Sequence, residues 1–234
     1  MGPGRLPALT DPTGAAVPDE RAVPGARVNR AEAVAFIGGA VALVGSWVVV
    51  AAQEVVPHAE VDVFELLNGL PDAVWPAVWL PMQAGSYAGS LVVVGIAGVA
   101  TRDRRVTAAA LVASQGAYWT SKAVKSMISR GRPEVLLAEV HLREKADGFG
   151  YVSGHAAVAC ALAASLAPSM PRRFRPVAFA GAAIVGFARV YGGAHLPLDV
   201  VGGAGIGLLL GTVTRWALGL GGEGLPTRRV THDL

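Results

Sequence analysis

Six long stretches of this chain contain no Asp, Glu, Lys or Arg, and they limit its possible folds more than any other feature. They run over 33–53, 73–101, 106–121, 148–171, 176–188 and 200–214. Only 16% of the 234 residues are charged and 53% are hydrophobic, whereas soluble domains are typically about 25% charged. A membrane-spanning helix needs about 20 mostly apolar residues. The pattern therefore argues against a soluble globular protein, and it predicts an all-α, integral-membrane bundle of six transmembrane helices.

The uncharged stretches define the predicted organisation of the chain. The six spans are expected at 31–52, 79–100, 106–128, 153–168, 174–191 and 198–218, within one transmembrane domain over 31–220. Gly and Ala are scattered through the spans, as in helices that pack closely in lipid. Residues 1–30 are rich in Pro, Gly, Asp and Arg and predict a flexible tail. Residues 221–234 are expected to form a second, cytoplasmic tail at the C-terminus.

The basic residues between the spans predict the orientation, because cytoplasmic loops are enriched in Lys and Arg. One loop contains Arg102, Arg104 and Arg105, and another contains Arg172, Arg173 and Arg175. The loop 53–72, in contrast, has five acidic residues and no Lys or Arg. We therefore expect a multi-pass protein of the cell membrane with both termini in the cytoplasm. The loops 53–72, 129–152 and 192–197 would face the other side.

The apolar residues of the loop 53–72 leave two structures open. They are Val63, Phe64, Leu66, Leu67 and Leu70. They fit a short helix lying on the membrane surface, and they fit equally a loop packed on the bundle.

Composition also excludes several classes of function. The net charge is +3, with 20 Lys and Arg in all, and no dense basic patch of the kind that nucleic-acid-binding proteins carry is present. We therefore expect no nucleic-acid partner. Cys160 is the single cysteine, so neither an intrachain disulfide nor a multi-cysteine metal site can form.

Ionisable residues at the span ends are candidates for function, because charge within a membrane is costly. By the span count, spans three and five end, and spans four and six begin, on the same non-cytoplasmic side. Six ionisable residues would therefore converge at one membrane face: Lys125, Arg132, His155, Arg189, His195 and Asp199. Taken singly, each has an ordinary explanation, such as a Lys or Arg anchoring a helix end.

The chemistry of this set points to phosphate. Guanidinium groups suit phosphate oxygens, and Ser153-Gly154-His155 opens a helix whose free N–H groups favour an anion. His195 and Asp199 are four residues apart, so they share one face of a helical turn. A carboxylate that holds one imidazole nitrogen leaves the other free as a nucleophile or base. His155 is placed to protonate the leaving oxygen.

These residues resemble the three-part signature of the type 2 phosphatidic acid phosphatase superfamily. The matching motifs are Lys125-x6-Arg132-Pro133, Ser153-Gly154-His155 and Arg189-x5-His195-x3-Asp199. The family includes membrane lipid phosphate phosphatases and soluble vanadium haloperoxidases. Two positions depart from its usual pattern: Val152 stands where Pro is usual, and Ala188 where Ser is usual. Neither change removes a residue to which the family gives a catalytic role.

The resemblance implies a role for each residue. His195 would attack phosphorus and form a phosphohistidine, with Asp199 orienting it, and His155 would be the general acid. Five residues would bind the phosphoryl oxygens: Lys125, Arg132, Ser153, Gly154 and Arg189. The function implied is hydrolysis of a lipid phosphate or diphosphate, with a phospholipid or polyprenyl phosphate as substrate and the bilayer as partner. The resemblance implies no metal and no cofactor.

Three points stay open at this stage. The alternatives to a phosphatase are a vanadate-dependent haloperoxidase-like enzyme, which six apolar spans disfavour, and a non-catalytic lipid-binding or transport protein. Among substrates, the expected polyprenyl diphosphate competes with phosphatidic acid and phosphatidylglycerol phosphate. A diphosphate calls for additional cations, and four residues are available for that purpose: Lys122, Arg130, Arg143 and Lys145. The oligomeric state is not predicted.

Overall fold

The structure, a computed structural model, describes residues 29–53 and 55–222. The two predicted tails, 1–30 and 221–234, lie almost entirely outside these residues. The α-helices of the described part are α1 (Arg30–Ala52), α2 (His58–Asn68), α3 (Trp75–Met82), α4 (Tyr87–Thr101), α5 (Arg104–Met127), α6 (Pro133–Leu136), α7 (Gly154–Leu166), α8 (Arg175–Tyr191) and α9 (Pro197–Ala217). Short 3-10 turns join several of them, and the described residues contain no β-strand. The prediction of an all-α fold is confirmed.

Among the described residues, three helices are long and apolar enough to cross a membrane: Arg30–Ala52, Arg172–Tyr191 and Pro197–Ala217. A fourth crossing is possible if the bent pair Asp72–Gly85 and Tyr87–Thr101 counts as one span. The other two predicted spans are also helical. One corresponds to α5, which is long but more polar, and the other to α7, which has only 13 residues. Length and apolar character therefore support several membrane helices and do not by themselves establish six.

The second predicted span, 79–100, is not one straight helix. The chain bends by 76° between the segment that ends at Gly85 and helix α4. Ser86 is extended and caps α4, since its hydroxyl accepts a hydrogen bond from the N–H of Gly89 at 3.0 Å, an interaction typical of a helix N-terminus. The bend also brings Gly85 so close to α7 that an added Cβ would lie 2.6 Å from the carbonyl oxygen of His155.

Helix α9 lies at the centre of the bundle and packs against α7, α1 and α5. Its glycines make this close packing possible. A Cβ on Gly203 would collide with the carbonyl oxygen of Ser153, and one on Gly205 would lie 2.7 Å from the carbonyl oxygen of Gly39 in α1. Helix backbones that approach this closely need small residues at the interface. The glycines of α9 therefore allow the start of α9 to pack directly against the start of α7.

Helix α2 combines one feature of each alternative for the loop 53–72, because it is a helix and it packs on the bundle. The segment is helical, and Phe64 is fully buried against Val190 and Leu196, so α2 packs on the ends of α8 and α9. Leu66, on the other side of the helix, is 71% exposed. The helix therefore covers the same end of the bundle at which the predicted site residues lie.

The opposite end of the bundle is closed by a buried ion pair. The guanidinium of Arg215 in α9 contacts the carboxylate of Glu32 in α1 at 3.3 Å and donates to the carbonyl oxygen of Ser165 at 3.0 Å. Both charged side chains are almost fully buried. This pair, which the sequence analysis does not predict, joins α1, α7 and α9 at their far ends.

Candidate active site

The segments that carry the predicted site residues meet at one end of the bundle. The N–H of Ser153, which precedes α7, donates to the carbonyl oxygen of Asp199 in α9 at 2.7 Å. The N–H of Gly150 donates to the carbonyl oxygen of Arg130, after α5, also at 2.7 Å. The N–H groups of Ala194 and His195 both donate to the carbonyl oxygen of Arg189 at 3.1 Å. Backbone hydrogen bonds therefore join the end of α5, the start of α7, the end of α8 and the start of α9.

His195 and Asp199 face each other at the start of α9. Pro197 occupies the first turn of the helix, and Asp199 is its third residue. The imidazole Nδ1 of His195 lies 3.4 Å from Oδ2 of Asp199, which also accepts the N–H of Leu196 at 3.0 Å. Both side chains are buried. This geometry leaves Nε2 of His195 as the nitrogen not directed at the carboxylate.

The environment of His195 favours the neutral form of its imidazole. Burial lowers the pKa of His195 well below its usual value, and the positive charges of Lys125, Arg189 and Arg132 lower it further. Only the neutral ring has a lone pair that can attack phosphorus or accept a proton. The same cations that would bind an anion therefore also keep the candidate nucleophile unprotonated.

Lys125 and Arg132 are held in place by backbone carbonyl groups. Lys125, in the last turn of α5, donates from Nζ to the carbonyl oxygen of Phe149 at 2.9 Å. Arg132 donates from Nε to Gly148, from Nη1 to Ala194 and from Nη2 to Asp147, at 2.6–2.8 Å. An ammonium group has three donors and a guanidinium group has five. Each side chain is therefore fixed by the protein and still has two N–H groups for a ligand.

Arg189, in contrast, is paired with a carboxylate. Its Nη1 donates to Oε1 of Glu144 at 2.8 Å. Nε of Arg189 and Oε2 of Glu144 are buried and have no hydrogen-bond partner among the described residues. Buried polar groups normally have hydrogen-bond partners, and two atoms of this pair do not. Glu144 lies in the loop 129–152, and the sequence analysis gives it no role.

Ser153, Gly154 and His155 form the start of α7, as predicted. The Ser153 hydroxyl caps the helix by accepting the N–H of Ala156 at 3.5 Å. A Cβ added to Gly154 would meet only Cβ of Ser121, at an ordinary 3.8 Å, so the packing of the described residues does not require glycine there. His155 is partly exposed and lies close enough to Arg189, Lys125 and Arg132 for their charges to act on its ring. All eight residues that the sequence assigns to the site therefore lie in one region.

Two of the cations that the sequence offers for a second phosphate are already engaged by the protein. Arg130 contacts Glu60 and Asp199 at 2.6 and 2.8 Å. Arg143 contacts Asp72 at 2.8 Å and stacks on the ring of Tyr191. Lys122 and Lys145 are exposed, and neither is in an ion pair within the part of the chain that the structure describes. The pairing of Glu60 in α2 with Arg130 could not be predicted from the sequence, in which the only related feature is the acidic character of the loop 53–72.

Within residues 29–53 and 55–222, no group of three or more His, Cys, Asp or Glu side chains is arranged to hold a metal ion. The cluster contains the imidazoles of His155 and His195, the carboxylates of Asp199 and Glu144, and three cations. Such a set can bind a tetrahedral oxyanion and attack it with a neutral nitrogen.

Comparisons with known proteins agree with the motifs. The model of the PAP2 superfamily matches residues 106–220, which include every predicted site residue. No curated protein matches the chain by sequence.

Two solved structures have the same fold. LpxE from Aquifex aeolicus is 22% identical and has a TM-score of 0.61, with 66% of this chain and 93% of that chain covered. The first transmembrane PAP2 type phosphatidylglycerolphosphate phosphatase from Bacillus subtilis is 21% identical and has a TM-score of 0.62. In that comparison 76% of this chain and 94% of the other are covered. At this level of identity the likeness concerns the fold alone.

Proposed function

Because residues 106–220 belong to the PAP2 superfamily, we propose that this protein is an integral-membrane phosphatase that hydrolyses the phosphate or diphosphate of a lipid. The observation that carries the proposal is the placement of the buried His195, in contact with Asp199, beside Lys125, Arg132 and Arg189. A solely structural cluster would balance its positive charges with nearby carboxylates. Here Lys125 and Arg132 donate to carbonyl groups instead, so their remaining N–H groups are available to an anionic ligand.

The proposed reaction has two steps. In the first, Nε2 of His195 attacks phosphorus and the bond from phosphorus to the leaving oxygen breaks; that oxygen belongs to the lipid alkoxide or, for a diphosphate, to the lipid monophosphate. Protonated His155 gives its proton to this oxygen, and the negative charge of the bound phosphate offsets the nearby cations that would otherwise keep the His155 ring neutral. Asp199 stabilises the positive charge that develops on the ring through its contact with Nδ1. In the second step, water attacks the phosphohistidine with His155 accepting its proton, and inorganic phosphate leaves. Lys125, Arg132 and Arg189, with Ser153 and the N–H of Gly154, would stabilise the charge on the phosphoryl oxygens throughout.

We place the site at the non-cytoplasmic face of the membrane. Arg102 lies between α4 and α5, Arg104 and Arg105 begin α5, and Arg172 and Arg173 lie before α8, all at the helix ends remote from the site. The positive-inside rule assigns those ends to the cytoplasm. A substrate in the outer leaflet would then present its head group to the cluster while its hydrocarbon chain stays in the bilayer.

A polyprenyl diphosphate is the substrate that we favour. Since Arg130 and Arg143 are engaged by Glu60 and Asp72, the second phosphate would rely on Lys122 and Lys145. The ammonium of Lys122 lies 5.3 Å from the centre of the Tyr118 ring, one helical turn before Lys125. Replacing Lys122 and Lys145 by Met should lower kcat/KM for a diphosphate more than for a monophosphate. Replacing Arg105, at the far end of α5, should leave kcat/KM unchanged for both substrates.

Phosphate release by the purified protein tests the proposal. The substrates are a polyprenyl diphosphate, phosphatidic acid and phosphatidylglycerol phosphate, each in mixed micelles with detergent. Wild-type protein should release phosphate from at least one of them, and His195→Ala should release none. Full activity of His195→Ala would contradict the assignment. Halide oxidation that depends on added vanadate, or solute flux in proteoliposomes without phosphatase activity, would favour the other two functions.

A further inference from the structure

Arg130 connects two buried carboxylates that come from distant parts of the chain. Its Nη1 lies 2.8 Å from Oδ1 of Asp199, and its Nη2 lies 2.6 Å from Oε2 of Glu60. A second contact, from Nη1 to Oε1 of Glu60 at 3.2 Å, makes the pair with Glu60 bidentate. The exposed fractions of the side chains are 10% for Arg130, 3% for Glu60 and none for Asp199. Glu60, Arg130 and Asp199 therefore form a buried network of ion pairs, and Asp199 is the residue that contacts His195.

Each oxygen of Asp199 has a defined partner. Oδ1 accepts from Arg130, and Oδ2 accepts from the N–H of Leu196 and faces Nδ1 of His195. A carboxylate bound at only one oxygen can rotate about its last bond. With both oxygens engaged, the plane of the Asp199 carboxylate is fixed, and with it the direction from which the imidazole is held.

Glu60 fixes the guanidinium in the same way. It binds Arg130 through both oxygens, and its Oε1 also accepts the N–H of Leu198 at 2.9 Å. That N–H is one of the free donors at the N-terminus of α9, where a negative charge is favourable. Glu60 therefore joins α2, the segment after α5 and the start of α9 at a single point.

The surroundings of Arg130 argue against direct contact with substrate. Arg130 borders a cavity of about 60 Å³ that is otherwise formed by residues of α1, the adjoining segment and α6: Val49, Val50, Gln53, Val55, Val56, Pro57 and Leu136. None of the eight predicted site residues lines that cavity. Buried ion pairs also contribute little net stability compared with apolar residues of similar size, so stability alone does not explain this one.

We propose that Arg130, held by Glu60, is a positioning residue that fixes the Asp199 carboxylate and thereby the ring of His195. This inference rests on the proposed function, because it assigns His195 as the nucleophile. It gives the acidic segment 53–72 a role in the reaction without contact to the phosphate. It also removes Arg130 from the residues available for a second phosphate group.

A double-mutant cycle on the full-length protein tests the inference. The variants are Arg130→Gln, Asp199→Asn and the double variant, with kcat and KM measured on the substrate that wild-type protein hydrolyses. Loss of a residue that orients a reacting group costs roughly 10- to 100-fold, and we expect that loss in kcat with KM unchanged. Because Arg130 acts through Asp199, the kcat of the double variant should lie within about threefold of the kcat of Asp199→Asn. Glu60→Gln should show a smaller loss of the same kind.

Arg143→Gln is the matched control. Its guanidinium is as buried as that of Arg130, with 8% exposed, and it comes from the same loop, yet its carboxylate partner is Asp72. If this variant unfolds at the same lower temperature as Arg130→Gln but keeps its kcat, stability is not the cause of the loss. Two results would overturn the inference. One is a loss of kcat in the double variant equal to the product of the losses in Arg130→Gln and Asp199→Asn. The other is a raised KM together with weaker inhibition by inorganic phosphate in Arg130→Gln.

A second readout separates this inference from the proposed function. The nitrogen chemical shifts of the His195 ring, assigned with His195→Gln, report the ring's hydrogen bond to Asp199 without any substrate. They should change in Arg130→Gln and not in Arg143→Gln. If wild-type protein hydrolyses no lipid phosphate, the proposed function fails, and unchanged shifts in Arg130→Gln would contradict the positioning role independently.

Discussion

Arg189 donates a hydrogen bond from Nη1 to Oε1 of Glu144 at 2.8 Å, so one of the three cations in the cluster already binds a carboxylate of the protein. The pair is incomplete, because Nε of Arg189 and Oε2 of Glu144 have no partner among the described residues. Glu144 lies in a loop and is 26% exposed. An anionic ligand that binds Arg189 must therefore compete with this carboxylate.

Replacing Glu144 by Gln should tighten the binding of phosphate. An ion pair that must be exchanged costs on the order of 1 kcal/mol, so inorganic phosphate or vanadate should inhibit Glu144→Gln at about 3- to 10-fold lower concentration. The measurement is the inhibition constant for each anion. Glu139→Gln removes the same charge from an exposed position in the same loop and should leave that constant unchanged. Equal constants in both variants would show that Glu144 does not compete with the ligand.

The proposed general acid predicts a dependence on the leaving group. His155→Gln should slow hydrolysis of an alkyl phosphate by roughly 10²- to 10⁴-fold, the usual contribution of such a group. The loss should be much smaller for 4-nitrophenyl phosphate, because nitrophenolate departs without a proton. Comparing kcat/KM for the two substrates checks this. An equal loss on both would mean that His155 acts in binding or in folding.

Gly154 and Gly203 predict opposite consequences of the same substitution. Gly154→Ala meets only Cβ of Ser121 at 3.8 Å, so the melting temperature should hold. The new methyl group would lie where the phosphate approaches, and kcat/KM should fall by roughly 10- to 100-fold, as expected for a small misplacement of a substrate. Phosphate release and thermal unfolding are measured on the same preparation.

Gly203→Ala should instead destabilise the fold. Its Cβ would collide with the carbonyl oxygen of Ser153, and overpacking of this kind costs about 1–3 kcal/mol. Gly181→Ala, in a place where no atom lies within 4 Å, is the control for both variants and should be neutral in stability and activity. A stable, fully active Gly154→Ala would show that the start of α7 is not approached by the substrate.

The protonation of His195 gives a prediction about pH. Burial and neighbouring cations lower its pKa in the folded protein, so the ring should stay neutral at pH 6.5, where a free histidine is half protonated. Because the unfolded chain takes up this proton first, His195 lowers the stability of the fold as the pH falls below about 6.5. A titration of ¹⁵N-labelled histidine, assigned with His195→Gln, measures this. Half-protonation of His195 at pH 6.5 would contradict it.

Much of the candidate site follows from the sequence, because charged residues are rare in this chain and their positions at span ends are informative. Counting the spans brings Lys125, His155 and His195 to one end, and the structure brings them together there. Apolar runs also locate the helices, since a helix is the main way to satisfy backbone groups in lipid.

Other features could not be predicted, because they depend on contacts between distant segments. The bend at Ser86 leaves the uncharged run intact, so hydropathy does not reveal it. The pairs of Arg130 with Glu60, and of Arg215 with Glu32, each join residues at least 70 positions apart. Pairings of this kind are determined by how the helices pack, and one sequence carries no direct record of them.

The central claim is that His195 carries the phosphoryl group during turnover. The direct measurement is to mix wild-type protein for a short time with a lipid phosphate labelled with ³²P, stop the reaction in alkaline detergent and map the labelled peptide. We predict a label on His195 that is stable to base and labile to acid, and no label in His195→Gln. A label on another residue, or phosphate release by His195→Gln at the wild-type rate, would contradict the account.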